Sequence, residues 1–333
     1  MSMKMKLEEE QQDLNLIPPT SPLEIDKDLT LLPRIKLNLT VHPSSPSLTL
    51  TTPIDEWKMK TALLTFLQTS HTLPFPLPEE DLVFKRFNKD LKKRKRDDPV
   101  AYGTLHIWNL SFLTDKNEDD VVKWRNRLVE KLNGVELNLQ GVKFRLDVVV
   151  PDCDDFDLMK KNWEEFYAFG KRNLNSRREP DTIVMSGVPS RWFAETRVSS
   201  KPSMLVTHTI FSKFGKIRNL NVAEDDSGKD ANEDSGDLVS GLYCKIVVQF
   251  EKYKDFHDAL RVLCGRSLQK QGSRLKADYE VTWDKDEFFR NPRNQSHEKN
   301  NMAADHYRSE APRRQVYNSR HSPDKVRPRR FRE

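Results

Sequence analysis

The sequence predicts an α+β fold of two split-βαβ domains joined by a helix and flanked by disordered termini. Three observations carry this expectation. Strand-like and helix-like apolar periods follow one another in the order β-α-β-β-α-β twice over. All periodicity stops after Trp283. The chain has 333 residues but only 36% hydrophobic side chains, too few for one continuous core, so two small domains of about 100–200 residues each plus unstructured flanks are the natural division.

Residues 1–33 place Pro18, Pro19 and Pro22 among charges without a stable period, which predicts a flexible lead-in. The first domain, 34–151, opens with Ile35, Leu37, Leu39 and Val41 alternating with Lys36, Asn38 and Thr40, a strand with one buried face. Thr52-Pro53, followed by Asp55 and Glu56, predicts a helix start, and Ile54, Trp57, Leu64 and Leu67 form its apolar stripe. Strands are expected over Leu82–Phe87 and Tyr102–Trp108. A helix from about Asn117 to Leu132 carries Val121, Val122, Leu128, Val129 and Leu132 on one side, and a strand with Phe144, Leu146, Val148 and Val150 inward closes the domain.

Residues 152–179 predict a connecting helix rich in aromatics, with Trp163, Phe166 and Tyr167 spaced to pack against a neighbouring domain. The second domain, 180–289, repeats the order. A strand over Thr182–Val188 leads to a helix from about Pro202 to Phe214, stopped by Gly215. Strands at Lys216–Ala223 and Gly241–Glu251 follow. Phe256, Ala259, Leu260 and Leu263 then give a helix, and a single strand over Leu275–Trp283 ends the domain with Leu275, Ala277, Tyr279, Val281 and Trp283 on one face. Both domains thus have the split-βαβ, ferredoxin-like layout of two helices on one face of an antiparallel sheet. Residues 290–333 are rich in Arg, Asn, Ser, His and Pro and are expected to be disordered.

Charge is distributed unevenly. The chain carries 56 Lys and Arg against 51 Asp and Glu, a net +5. Arg290 to Glu333 hold 12 basic and 5 acidic residues, a net +7, which leaves −2 for residues 1–289. No run approaches the roughly 20 apolar residues of a membrane span, and the charged Met1–Glu10 segment is unlike a signal peptide, so a soluble intracellular protein without membrane contact is expected. Cys153, Cys244 and Cys264 form no CxxC pair and lie near no histidine at ligand spacing, which argues against a disulfide framework and a zinc site. No phosphate loop, nucleophile elbow or HExxH is present; the expectation is a non-enzyme without cofactor, metal or small-molecule substrate.

The segment Phe211-Ser212-Lys213-Phe214-Gly215-Lys216-Ile217 resembles the Phe-x-x-Phe-Gly-x-Ile bridge of RNA recognition motifs, so both domains are expected to be RRM-like. An RRM stacks bases on aromatics of its open sheet face. Aligned on Phe250, the strand Tyr243–Phe250 puts Lys245 and Val247 at the stacking positions, and Val184 takes the third. Tyr243 and Lys245 are the candidate nucleic-acid contacts that remain on this face. The following loop, with Glu224, Asp225, Asp226, Asp230, Glu233, Asp234 and Asp237 around Lys229, would repel phosphates. RNA contact through this sheet is therefore expected to be weak or non-specific.

Pro180-Asp181-Thr182-Ile183, Gly187-Val188-Pro189, the Trp192-Phe193 pair and the Phe211–Asn219 run together resemble the A-kinase anchor protein 17A family, also described as an arginine/serine-rich splicing factor, over about residues 34–290. The resemblance implies a degenerate RRM, a nuclear location, mRNA splicing and splicing-factor partners. Kinase anchoring in that family uses a long C-terminal helical region, whereas this tail carries Pro292, Pro312, Pro323 and Pro328 and no amphipathic repeat.

Two basic segments add to this. Lys92, Lys93, Arg94, Lys95 and Arg96 form a compact run that reads as a nuclear-localisation signal and is also suited to phosphate contact. Arg313, Arg314, Arg327, Arg329 and Arg330 suit non-specific RNA binding by the tail. The expected function is RNA binding in nuclear pre-mRNA processing, with contact mainly through the basic loop and tail. The alternative is a protein-interaction adaptor in which Trp192 and Phe193 receive a partner.

Overall fold

The computed structural model describes residues 17–44, 55–70, 72–87, 98–113, 118–139, 141–169, 179–195, 198, 200–225 and 242–290. The chain divides into two compact units after Lys285, and every strand and α-helix among the described residues lies in the first.

Strands β1 (Leu23–Asp26) and β2 (Leu29–Pro33) precede the first domain. That domain comprises β3 (Ile35–Pro43), α1 (Glu56–Thr69), β4 (Leu82–Arg86), β5 (Ala101–Ile107), α2 (Glu118–Leu132), β6 (Glu136–Leu139) and β7 (Val142–Val149). Its antiparallel sheet has the order β4-β5-β3-β7-β6. The inward residues of β3, Ile35, Leu37, Leu39 and Val41, pack against Met59, Leu63, Leu64 and Leu67 of α1 and Leu128 and Leu132 of α2. Both helices therefore cover one face, and the other is open.

Helix α3 (Phe156–Phe169) leads to the second domain: β8 (Thr182–Pro189), α4 (Met204–Phe211), β9 (Ile217–Glu224), β10 (Tyr243–Phe250), α5 (Tyr253–Leu263), β11 (Arg266–Lys270), β12 (Lys276–Ala277) and β13 (Glu280–Trp283). The order β13-β8-β10-β9 is the split-βαβ arrangement again. Ile183, Met185, Ile246, Val248 and Phe250 face Phe211, Phe256, Leu260 and Leu263 in its core. Met159 and Trp163 of α3 join this core, with Trp163 edge-on to Phe256 at 5.6 Å between centroids, while Phe166 and Tyr167 pack against Trp283. The fold is α+β with two RRM-like domains.

Four local expectations are corrected. Residues 23–33 are an ordered hairpin rather than part of a flexible lead-in. Strand β2 pairs along its whole length with β11, Leu29 opposite Lys270 through Pro33 opposite Arg266, and Ile25, Leu29 and Leu31 enter the second core. Backbone groups of β2 thus find partners more than two hundred residues further along the chain. Helix α1 starts after Asp55, whose carboxylate accepts the Trp57 N–H at 3.0 Å, and Trp57 is 64% exposed while Met59 and Leu63 take the inward positions. Thr52, Pro53 and Ile54 lie outside the described residues. The last strand is broken in two: β12 pairs with β11 and β13 with β8, so the chain passes from one sheet to another through Asp278 and Tyr279. Leu275, assigned inward by alternation, is exposed for that reason. Finally, α4 ends at Phe211, before Gly215.

Candidate nucleic-acid interface

The open face of the second sheet is built on β10, whose alternate residues Tyr243, Lys245, Val247 and Gln249 point away from the helices. Tyr243 is 46% exposed and opposes Pro189 at the strand's first position. Lys245 is exposed, opposite Ala223. Val247 is buried between Val184 and Asn221. Gln249 accepts from Asn219 Nδ2 at 2.6 Å and donates to Asp181 Oδ2 at 2.9 Å. Aliphatic and amide side chains fill the centre, and the single exposed aromatic, Tyr243, stands at one corner. Stacking of the RRM kind has no platform in the middle of this sheet.

A β-bulge shapes the same corner. The register shifts between Cys244 and Ile246, so Ser186 and Gly187 together oppose Lys245. Gly187 sits at φ +74°, a conformation that a side chain would strain, and its N–H donates to Asp225 Oδ2 at 2.9 Å. Asp225, the first residue of the acidic connection after β9, is thereby bound back onto the sheet. Asp226 to Asp237 lie outside the described residues.

The other sequence-derived candidates are distributed as follows. Phe193 is 1% exposed and belongs to the second core, so its ring is not offered to a partner; that assignment is corrected. Trp192 is half-buried against the same core. The run Lys92–Arg96 and Arg313, Arg314, Arg327, Arg329 and Arg330 lie outside the described residues.

Where β12 passes into β13 the two domains are locked together by charge, an arrangement that no periodicity reports. Arg34 stands between the domains with its side chain fully buried. Its guanidinium donates to Asp154, to Asp278 Oδ1 at 3.1 Å and to Ser267 Oγ, and Ser267 in turn donates to Asp278. Asp278 Oδ2 lies 2.6 Å from His106 Nε2 and 3.1 Å from Lys36 Nζ on the open face of the first sheet. Two residues back, Lys276 Nζ stands 3.9 Å above the Trp108 ring, whose Nε1–H donates to Asp81 at 3.0 Å. Burial works to raise the Asp278 carboxyl, but the His106 hydrogen bond and the charge of Arg34 outweigh it and hold the group well below the usual carboxylate range. For Arg34, burial disfavours the charge, and Asp154 and Asp278 more than restore it.

Among the described residues no cluster of His, Cys, Asp and Glu could hold a metal ion, and no helix is long and apolar enough to cross a membrane. The three cysteines are unpaired, and burial pushes the Cys153 and Cys244 thiols up to about 12.

Two split-βαβ sheets, one of five strands and one of four, each with helices on one face and the other face open, define a protein of the RRM class. Residues 116–320 match the family described as "AKAP-17A-like, RNA-binding domain", and the chain belongs to that family, which is an RNA-binding domain family rather than an enzyme class. A-kinase anchor protein 17A from Homo sapiens is 30% identical over 156 residues, covering 44% of this chain and 22% of the human protein. The chain thus spans well under two thirds of the length of that relative.

Proposed function

We propose that this protein binds RNA in nuclear pre-mRNA processing and holds it chiefly by phosphate contact rather than by base stacking on the second sheet. The observation that supports this reading most directly is the pairing of an RNA-binding-domain match with a second-domain face whose centre is Val247, Val184 and Gln249. Binding energy without stacking must come from cations, and the densest cation runs of the sequence are Lys92–Arg96 and the Arg313–Arg330 segment. The relative's printed name connects it with A-kinase anchoring; the basic run at 92–96 is consistent with nuclear import, and splicing-factor proteins are the partners this role implies.

The test is RNA binding by the full chain across a salt series. Charge reversal in Lys92–Arg96 combined with removal of residues 291–333 should flatten the slope of log affinity against log salt and weaken binding by more than tenfold at about 100 mM salt. Unchanged affinity would sink the phosphate-contact mechanism.

One observation favours the adaptor reading as a second function. Met204 and Leu205, at the start of α4, are exposed, Leu205 by 69%, and Trp192 is only half-buried. Leu205→Asp should abolish partner capture while RNA binding persists; capture that survives the substitution rejects this face.

A further inference from the structure

We propose that the cavity where the two domains and α3 meet is a binding site for a small phosphate monoester. The inference is independent of the RNA-binding reading and concerns neither sheet face.

The cavity has a volume of about 310 Å³, at the lower end of the range for small-molecule sites. Val121 of α2, Phe156 and Lys160 of α3 and Val262 of α5 all line it, so both domains and the connecting helix contribute. Ile17 and Pro19 line it as well, and the residue between them is tied down: Arg266 Nη2 donates to the Pro18 carbonyl at 3.0 Å.

Two guanidinium groups converge in the wall. Arg34 donates to the Asp154 carboxylate and Arg125 Nη1 to the Asp154 backbone carbonyl, the latter at 3.1 Å, so a single residue brings both cations to one place. Arg125 Nη2 also donates to Asp155 Oδ2 at 3.1 Å. After these bonds Arg34 Nη2 and Arg125 Nε are still buried with no hydrogen-bond partner among the described residues. A buried cationic N–H without an acceptor is costly, and an anionic oxygen is the strongest acceptor it can meet. Lys160 adds a third donor. It lies one turn along α3 from Phe156 on the same helix face, is half-buried and makes no ion pair among the described residues.

The lining favours a dianion over a neutral ligand. Six Lys and Arg side chains stand against four Asp. Asp154 and Asp155 are engaged by Arg34 and Arg125, Lys36 by Asp278, and Asp119 and Asp157 are exposed. A water molecule could accept from one N–H but would leave the Lys160 charge unanswered. A phosphate monoester presents three acceptor oxygens and about two negative charges, which matches Arg34 Nη2, Arg125 Nε and Lys160 Nζ in number and sign. Val121, Val122, Val150 and Val262 give the organic part of the ester an apolar wall, which inorganic phosphate would leave uncovered.

The experiment is calorimetric titration of the full chain with phenyl phosphate in phosphate-free buffer. One saturable site is expected, with inorganic phosphate binding more weakly. Lys160→Ala should weaken phenyl phosphate binding roughly tenfold or more, the loss of one charge-assisted hydrogen bond, while Lys160→Arg stays close to the parent. Lys161→Ala, an exposed neighbour on the same helix, should change nothing. A parent that binds neither compound, or a Lys160→Ala protein of parental affinity, overturns the site; an equal loss in Lys161→Ala means general charge attraction and overturns it too. Equal affinity for inorganic phosphate rejects the monoester class. A readout without substitution comes from nuclear magnetic resonance of ¹⁵N-labelled protein: the Arg125 Nε–H signal should shift as phenyl phosphate is added, and saturable binding that leaves it unmoved places the ligand elsewhere. If a single-stranded oligoribonucleotide displaces phenyl phosphate and itself binds more weakly to Lys160→Ala, the cavity takes RNA backbone and the small-molecule assignment falls.

Discussion

Replacing Asp278 by Asn keeps the shape of the side chain and removes the charge on which Arg34, Lys36 and His106 converge. Breaking a buried ion pair from one side costs about 3–5 kcal/mol, mostly for the charge left behind. Here Arg34 retains Asp154, and the Asp278 side chain is 29% exposed, so the loss should be smaller, about 2–3 kcal/mol. Because the folded state holds the Asp278 carboxyl below its ordinary value of 3.8, the pair stabilises the protein fully above that value. Its contribution is lost as pH falls below 3.8 towards the depressed folded value. Urea unfolding at pH 7 should therefore show the full loss for Asp278→Asn, and between about pH 4 and pH 2 the variant should lose stability less steeply than the parent, by up to about 1.4 kcal/mol per pH unit. The exposed Asp157→Asn is the control. Equal midpoints at neutral pH, or parallel acid profiles, would refute the idea that Asp278 fastens the two domains.

Three further outcomes follow from burial. Leu31→Ala should destabilise the protein by about 2–4 kcal/mol in urea unfolding, because β2 is a core strand; a change below about 0.5 kcal/mol would return residues 23–33 to a loose lead-in. Phe193→Ala should cost about 3–5 kcal/mol, and a Phe193→Ala protein of parental stability that loses a partner would restore the docking role. Iodoacetamide at pH 8 should label Cys153 and Cys244 slowly in the folded protein and rapidly in urea, since burial pushes both thiols up to about 12; rapid native labelling would contradict that placement.

What could be read from the residues depended on how far away the cause lay. The alternation Ile35–Val41 and the set Phe256, Ala259, Leu260 and Leu263 report their own burial, because strand and helix periods are local properties. The β1–β2 hairpin is invisible in that way: its strands are short, and the partner that orders it, β11, lies more than two hundred residues on. The break at Asp278 is hidden for the same reason, since both halves alternate correctly and only the change of partner strand shows that Leu275 leaves the core. The vacancy of the second sheet's stacking positions was legible, because Lys245, Val247 and Val184 occupy a register that the motif defines. Tyr102-Gly103, on β5 of the first domain, likewise fits the F/Y-G/A step of that motif.

Gly215 shows how one residue type supports two physical accounts whose predictions differ in sign. As a helix stop, glycine supplies a left-handed residue; but Gly215 is not among the glycines at positive φ, and α4 has already ended at Phe211. If conformational freedom were its only role, Gly215→Ala would stabilise the protein by about 0.4–1 kcal/mol through the unfolded chain. The packing says otherwise. A Cβ at 215 would lie 2.4 Å from Asp255 Cβ and 2.7 Å from its Oδ2, the atom that accepts the Lys216 N–H at 3.2 Å. Asp255 stands in the first turn of α5 with the buried Phe256 beside it, so it cannot withdraw without shifting a core helix. Overpacking of this kind costs about 1–3 kcal/mol, and Gly215→Ala should destabilise by that amount in urea unfolding. Asp255→Gly, combined with Gly215→Ala, should recover part of the loss by removing the clashing Cβ, a coupling that a double-mutant cycle measures directly. A stabilised Gly215→Ala protein would mean that the Phe-Gly step after α4 serves the turn alone, and that its closeness to α5 is not what holds the second domain's helices together.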